Sequence, residues 1–367
     1  MVSEFSSYIV VTRVLSNRGL YYSPDNAPAF ATIEENWHPS FGWPNPDDFR
    51  PPARDESGAR NNPHFSAEHE NCVSAYGESV VFDYRVSDAR AWSNELSARL
   101  GCRVANFGVP SYGVDQALLR FQANDYDRSR VAIMGLSSAA IPRNVSQFRA
   151  LLPFAGREAD RAGLKPRFRL NAANQLEFLP VPLDPLTEAD YQQLVQHPER
   201  YLVDDYFQIG GPSQLTRPRF PYMFTLAKGL VRLAERYGRG DTPWYAEFYR
   251  STHPSNALAV TTRLLQTFAL ESLEHGRSPL ILLFPTVADL NAVRSGRPWH
   301  YQPLMENLDE IGLHYINLGD DFILHIGAGD FCALFDADCN SHLNETGSAI
   351  LARSVHEFLT AKHWETL

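Results

Sequence analysis

The chain has 367 residues, of which 44% are hydrophobic and 21% are charged. This composition is typical of a globular protein with a buried core, and the length fits one large domain or two ordinary ones. The formal charge of -10 and the absence of any Lys/Arg run argue against a nucleic-acid partner, because proteins that bind polyanions present a basic face. Neutral or cationic substrates fit this charge better.

No apolar run in the sequence approaches the ~18 to 20 residues that a membrane span needs. The first 25 residues lack a basic region followed by an apolar stretch, so no signal peptide is expected in the chain as written. The chain as written therefore favours a cytoplasmic location. A cell-envelope location stays open if an anchor once preceded it.

The four cysteines contain no CxxC pair, so neither a zinc ribbon nor a thioredoxin-type motif is supported. Cys72 and Cys102 lie in apolar, strand-like segments and are expected to be buried small hydrophobic residues. Cys332 and Cys339 are close enough in sequence to bridge a loop in an oxidising compartment, and the sequence leaves that pairing open.

Residues 1–65 are rich in Pro, Asn, Asp, Ser and Gly, which interrupt regular structure. Phe41 and Trp43 within them indicate an arm that packs on the main domain.

From Asn71 onward, short apolar runs alternate with helical patterns. Strands are predicted at residues 72–76, 102–107 and 131–134, each followed by a glycine. Helices are predicted after Ser87, which is expected to cap the first of them, and over residues 115–125. This alternation is typical of a parallel sheet with crossover helices. Residues 66–150 are therefore predicted to form the first part of an α/β domain.

The pattern breaks over residues 151–253, which we interpret as an insertion with a hairpin and helices, acting as a lid or substrate-facing subdomain. Its aromatic residues line a sugar-stacking cleft or form a small core, and the core is favoured: Tyr201, Tyr206, Phe207, Trp244 and Tyr245. Residues 254–367 resume the α/β pattern and end in a helix after Asn344. The predicted fold is a three-layer α/β/α sandwich with a mostly parallel sheet.

Chemistry in an open parallel sheet gathers at the carboxyl ends of the strands. Ser79 follows a predicted strand after two intervening residues, Gly77 and Glu78, in a turn that exposes its hydroxyl. The Ser79 N–H and a second N–H at Gly108 are placed to hold a substrate oxyanion. A serine hydroxyl needs a base, and His342, just before the final helix, is the candidate. Ser79 as an ordinary turn residue is the alternative.

These segments resemble the SGNH/GDSL hydrolase superfamily. Ser74–Ser79 is similar to its first motif, a strand followed by Gly-Asp-Ser. Asn106–Gly113 resembles its second motif, whose glycine N–H helps to form the oxyanion hole. His342–Gly347 resembles its last motif, the catalytic histidine that leads into the C-terminal helix. Asp55–Asn61 is similar to the lead-in found in bacterial members.

The chain departs from the family pattern in three places. Glu78 replaces the usual aspartate before the nucleophile. The third motif, Gly-x-Asn-Asp, is absent after Gly135, and Asn144 is the nearest asparagine that could donate to an oxyanion. The expected acid before the histidine is displaced to Asp338, with Asp336 as the reserve. A Ser-His dyad oriented by a backbone carbonyl is a further alternative.

The resemblance implies an acyl-enzyme mechanism for an esterase or O-acyltransferase acting on a carbohydrate, lipid or metabolite ester, with no metal and no cofactor. The alternative is a non-catalytic relative that binds a ligand at the same sheet edge. A Rossmann-type nucleotide site is disfavoured, because the turn at Ser79 lacks the GxGxxG spacing.

Overall fold

The computed structural model describes residues 2–43, 54–152, 163–184, 186–238 and 240–364. They fall into two compact units. The α/β unit comprises the described residues of Pro46–Asn144, Leu170–Leu176 and Tyr245–Leu367. The helical unit comprises those of Met1–Asn45, Val145–Arg169 and Glu177–Trp244.

A five-stranded sheet lies at the centre of the α/β unit. Its strands are β1 (Asn71–Tyr76), β2 (Arg103–Asn106), β3 (Val131–Ser137), β6 (Ser278–Phe284) and β7 (Tyr315–Asn317). Their order is β2-β1-β3-β6-β7, and every neighbouring pair is parallel. β3 is buried along its whole length, as expected of a parallel strand covered on both faces. Two further strands, β4 (Arg167–Leu170) and β5 (Leu176–Leu179), form the predicted hairpin.

Helices cover the sheet of the α/β unit. They are α3 (Ser79–Phe82), α4 (Trp92–Leu100), α5 (Val114–Gln122), α9 (Ala257–Glu274), α10 (Val287–Arg294), α11 (Gln302–Glu310), α12 (Leu318–Ile326) and α13 (Glu345–Ala361). α5 packs on α9, where the Phe121 and Phe268 rings lie 4.9 Å apart, and α4 packs on α13. The α/β fold with a mostly parallel sheet is therefore confirmed.

The helical unit begins with α1 (Val2–Ile9), which continues as a π-helical turn over Val10–Leu15. Its other helices are α2 (Phe30–Asn36), α6 (Glu188–Gln196), α7 (Pro198–Tyr201) and α8 (Tyr222–Gly238). Val11 and Leu15 are buried in a small core against which Leu226 and Leu233 of α8 pack.

The sequence predicts an arm with little regular structure over residues 1–65. The described residues 2–43 instead contain α1, its π-helical turn and α2, and apolar side chains among them form a core with α8. Residues 54–65 belong to the α/β unit instead, and residues 44–53 lie outside the described residues.

Two local predictions also differ from the structure. Ser87 precedes a short 3-10 turn, Asp88–Arg90, and the helix starts only at Trp92. Gly135 does not end β3 but lies inside it, where an added Cβ would meet the Val81 side chain at 2.4 Å. β3 therefore extends two residues beyond Gly135 and ends at the polar residue Ser137.

The cysteines form two disulfides, Cys72–Cys102 and Cys332–Cys339. The expectation that Cys72 and Cys102 are only small buried side chains is wrong. Cys72 lies in β1 and Cys102 immediately precedes β2, so these neighbouring strands bring the two residues together at their amino ends. The second bridge closes the loop that precedes His342.

The described part of the chain contains no helix long and apolar enough to cross a bilayer. The same residues hold no cluster of three or more His, Cys, Asp or Glu side chains that would bind a metal ion.

Asp83 joins three helices of the α/β unit. It follows α3 in the left-handed conformation, and its carboxylate accepts hydrogen bonds from the Trp92 N–H of α4 and from the Ser348 hydroxyl of α13. Burial raises the pKa of this carboxyl from 3.8 to about 6. The folded state therefore holds the Asp83 proton more tightly than the unfolded chain does.

We expect Asp83→Asn to change how stability depends on pH. The contribution of the Asp83 carboxyl is complete below its unfolded pKa of 3.8 and is lost as pH rises through about 6. Between these limits the native chain loses on the order of 3 kcal/mol that Asp83→Asn does not lose. Urea unfolding at several pH values from 4 to 7 measures the difference, with exposed Asp125→Asn as the control. A difference from the native chain that stays constant over this range would contradict the expectation.

Candidate active site

The turn between β1 and α3 places Ser79 at the carboxyl edge of the sheet. Gly77 adopts a φ of +152°, and a Cβ there would lie 2.4 Å from both the Gly135 carbonyl oxygen and the Val81 side chain. Only glycine therefore fits this turn. Ser79 is the first residue of α3, and no acceptor within the described ranges is bonded to its N–H, as is usual in the first turn of a helix.

His342 meets Ser79 directly, although 263 residues separate them in the chain. The His342 Nε2 atom lies 2.9 Å from the Ser79 hydroxyl oxygen, which is hydrogen-bond distance. Asn344 fixes the start of α13 just after the histidine, because its side chain accepts the Thr346 and Gly347 N–H groups. The two residues chosen as nucleophile and base are therefore in contact.

Asp336, not Asp338, is the acid that lies closer to the imidazole. The Asp336 Oδ2 atom is 4.0 Å from His342 Nδ1, and its side chain is 12% exposed. The Asp338 side chain is 74% exposed, and its N–H donates to Asp336 Oδ1 at 3.2 Å. The first choice, Asp338, is thus placed in solvent, because the loop turns at Asp336 and directs the reserve residue inward.

Arg85 also contacts this acid. Its Nε atom lies 3.3 Å from Asp336 Oδ2, and its guanidinium lies over the Tyr84 ring. The exposed Tyr84 ring in turn lies 6.2 Å from the His342 ring, measured between centroids. Asp336 is therefore shared between a cation and the imidazole, and 4.0 Å is too long for a hydrogen bond between them.

The predicted oxyanion donor at Gly108 is already engaged. Its N–H donates to the Asn106 side-chain oxygen at 3.0 Å, and a Cβ at this position would lie 2.6 Å from the Phe82 nitrogen. Three residues later, Ser111 adopts a φ of +69°, which is uncommon for a residue with a side chain. The Ser111 N–H has no backbone acceptor within the described ranges.

Asn144 is not available to an oxyanion. Its side-chain nitrogen donates to the Thr261 hydroxyl at 2.8 Å, and its oxygen accepts the Val114 N–H at 2.8 Å. The residue is fully buried and ties α5 to α9. Asn144 is the nearest asparagine after β3 in the sequence, and here both polar atoms of its side chain are bonded to Thr261 and Val114 instead.

The Glu78 side chain contacts two other segments of the α/β unit. Its buried carboxylate accepts the Ser137 N–H at 2.9 Å and forms an ion pair with Arg143. Arg143 also donates to the Tyr112 carbonyl oxygen at 3.0 Å. The Glu78–Arg143 ion pair thus connects the β1–α3 turn, the end of β3 and the loop after β2. An aspartate in the same backbone position would be one methylene shorter.

Sequence reasoning missed Arg143 and Arg85 altogether. The signal for Arg143 was Glu78 itself, since an acid that is buried at a strand end needs a cation or several donors. Arg85 carried no comparable signal, because it follows the nucleophile helix in an ordinary surface position.

No protein-family model and no curated protein matches the chain. Among solved structures, the chain is similar to a candidate lipolytic protein of the G-D-S-L family from Desulfitobacterium hafniense, at 9% identity and a TM-score of 0.35, over 78% of this chain and 97% of that one. A lipase/acylhydrolase from Enterococcus faecalis matches at 11% identity and 0.39, over 80% and 96%. An acetyl xylan esterase from the rumen bacterium Butyrivibrio proteoclasticus matches at 9% and 0.33, over 81% and 65%.

Each segment that resembles an SGNH/GDSL motif has a defined place in the α/β unit. Ser74–Ser79 ends in the β1–α3 turn, Asn106–Gly113 follows β2, and His342–Gly347 leads into α13. In the altered third motif, Ser137 occupies the position where the SGNH/GDSL pattern has asparagine, and its N–H holds Glu78.

Proposed function

We propose that the protein is a serine-dependent ester hydrolase or O-acyltransferase that works through an acyl-enzyme on Ser79. The 2.9 Å contact between the Ser79 hydroxyl and His342 Nε2 carries this proposal, because an activated nucleophile requires a base within hydrogen-bond reach. The substrate is an acyl ester of a carbohydrate, lipid or metabolite. None of the proposed steps requires a cofactor or a metal ion.

In the first half-reaction, the Ser79 oxygen attacks the ester carbonyl carbon while His342 Nε2 takes the hydroxyl proton. The carbonyl π electrons move onto oxygen, and the free N–H of Ser79 stabilises that oxyanion. When the tetrahedral intermediate collapses, the bond to the alcohol oxygen breaks and His342 returns the proton to the departing alcohol.

In the second half-reaction, His342 removes a proton from water or from an acceptor alcohol, whose oxygen attacks the acyl carbon. Collapse of the second intermediate breaks the bond to Ser79, and the proton returns to the Ser79 oxygen. Water gives the free acid, and an alcohol gives a new ester. Exclusion of water from the open site decides between these outcomes.

The second oxyanion donor is proposed to be the Ser111 N–H or a released Gly108 N–H. Gly108 would have to exchange its 3.0 Å bond to Asn106 for the substrate oxygen. Ser111 needs no such exchange with a backbone acceptor. The Glu78–Arg143 ion pair favours a fixed position for this loop, because Arg143 holds the Tyr112 carbonyl beside it.

A non-catalytic binding protein is the second candidate function. Two observations favour it: Asn144 supplies no oxyanion donor, and the Gly108 N–H is engaged. A serine that serves only to bind a ligand needs no base, however, whereas His342 contacts Ser79.

Covalent labelling with a fluorophosphonate probe tests the proposal. We expect a single adduct on the peptide that contains Ser79, with no adduct in Ser79→Ala. Ser295→Ala serves as the control, since it removes an exposed hydroxyl just after α10 that has no role in the proposed mechanism and should leave labelling intact. A folded chain that takes no label, or that is labelled equally in Ser79→Ala, would favour the binding protein and overturn the enzyme.

A further inference from the structure

α8 carries apolar side chains on two sides. One side packs within the helical unit: Leu226 and Leu233 contact the core around Val11, and Gly229 lies against Leu15. The other side faces outward, and we name it the α8 outer face. It consists of large residues that are 50% to 71% exposed: Met223, Phe224, Leu230, Val231 and Tyr237.

The helical repeat places the α8 outer face on one stripe. With 3.6 residues per turn, its five side chains fall within an arc of about 140°. Phe220, 74% exposed, extends the stripe just before the helix. Large apolar side chains gathered in this way are unusual on a surface that only water contacts, and they indicate a binding face.

Basic residues border this stripe. Lys228, Arg232 and Arg236 occupy the next part of the helix circumference, which also carries Glu235, and Arg219 is exposed just before the helix. α1 and its π-helical turn, which pack along α8, add exposed Arg13. Segments 2–20 and 218–238 together hold six Lys/Arg and two Asp/Glu residues, in a chain whose formal charge is -10. The local charge is therefore opposite to that of the whole protein.

We propose that the α8 outer face docks onto an anionic lipid surface. An interfacial helix of this kind buries its apolar stripe at the boundary between headgroups and acyl chains, while basic side chains reach anionic headgroups. The exposed apolar side chains of α1, Phe5 and Ile9, would add apolar area from the neighbouring helix. This proposal does not depend on the proposed ester chemistry.

A second copy of the chain fits the same face less well. An antiparallel twofold contact would set each face against itself and place the basic edges of both copies, with Lys228, on the same side. Like charges on that side oppose association, whereas anionic headgroups neutralise them.

Flotation of the full chain with vesicles tests the proposal. We compare phosphatidylcholine alone with phosphatidylcholine that contains about 30% phosphatidylglycerol. The expected result is at least about tenfold more bound protein on the anionic vesicles at low salt, falling as salt is added. Phe224→Ser with Val231→Ser should lower binding to both vesicle types about tenfold or more. Arg219→Glu with Lys228→Glu should remove the preference for the anionic vesicles.

The matched control is Leu270→Ser with Leu273→Ser, which changes two exposed apolar residues of α9 and should leave binding unchanged. Circular dichroism verifies that every variant is folded. Binding that is absent from both vesicle types, or undiminished in the Phe224/Val231 variant, would overturn the proposal. Sedimentation velocity measures the oligomeric state of the native chain and of the Phe224/Val231 variant. If the native chain is a dimer and this variant is a monomer, the α8 outer face binds a second copy and the proposal is overturned.

Discussion

Replacing Ser79 by alanine is expected to lower the turnover of a short p-nitrophenyl ester by about 10³- to 10⁵-fold in kcat. The expectation follows from the mechanism, since the variant keeps the binding surface but loses the atom that forms the acyl-enzyme. Steady-state rates for the native chain and Ser79→Ala measure the effect. KM should change little, because the missing hydroxyl acts mainly in the transition state.

His342→Ala, at the proposed base, should lower kcat by a similar factor, because Ser79 and His342 are proposed to act as one unit. His325→Ala is its control, since His325 is exposed on α12 and should have no effect on rate. Unchanged turnover in Ser79→Ala, with the variant folded, would refute the nucleophile assignment outright.

Asp336→Asn is expected to lower kcat by about 10²-fold, and Asp338→Asn by no more than about twofold. The carboxylate of Asp336 lies 4.0 Å from His342 Nδ1, whereas Asp338 is largely exposed. A carboxylate beside the imidazole stabilises the imidazolium that forms when Ser79 is deprotonated. We expect the larger effect on kcat rather than on KM, because that charge exists only during the reaction.

The two aspartates are natural controls for each other, since both lie in the loop closed by the Cys332–Cys339 disulfide and both contact Arg85. A larger loss of kcat in Asp338→Asn than in Asp336→Asn would instead favour Asp338, the acid chosen first from the sequence. Equal and small effects would instead favour a Ser-His dyad without an acid.

The strand ends and the residues that follow them could be predicted from sequence. Buried apolar runs ended by glycine located β1 and β2, and the sharp turn at Gly77 follows from steric contacts that only glycine avoids. Ser79 and His342, which lie 2.9 Å apart, could be selected as candidates because each stands beside a strong local signal, a strand end and a helix N-terminus. Such signals depend on neighbouring residues and are therefore visible in the sequence.

The features that were missed depend on contacts between distant segments. Val11 has no signal for its packing against α8, more than 200 residues away, so the first helix was read as an arm. Asp336 and Asp338 differ only in the way one loop turns. Asn144 was selected as an oxyanion donor only because it is an asparagine near the end of β3. Its neighbour Arg143 is the residue that contacts the β1–α3 turn, through an ion pair with Glu78.

The two disulfides act on different properties of the molecule. Cys72–Cys102 joins strands at the end of the sheet away from Ser79, across 30 residues, and in the loop-entropy description it disfavours the unfolded chain by about 3.7 kcal/mol. Cys332–Cys339 spans only seven positions and encloses Asp336, immediately before His342. Loss of the first bond would act mainly on the folding equilibrium. Loss of the second would instead free the segment that leads to His342, the proposed base, so its reduction is expected to lower the proposed activity of a chain that stays folded.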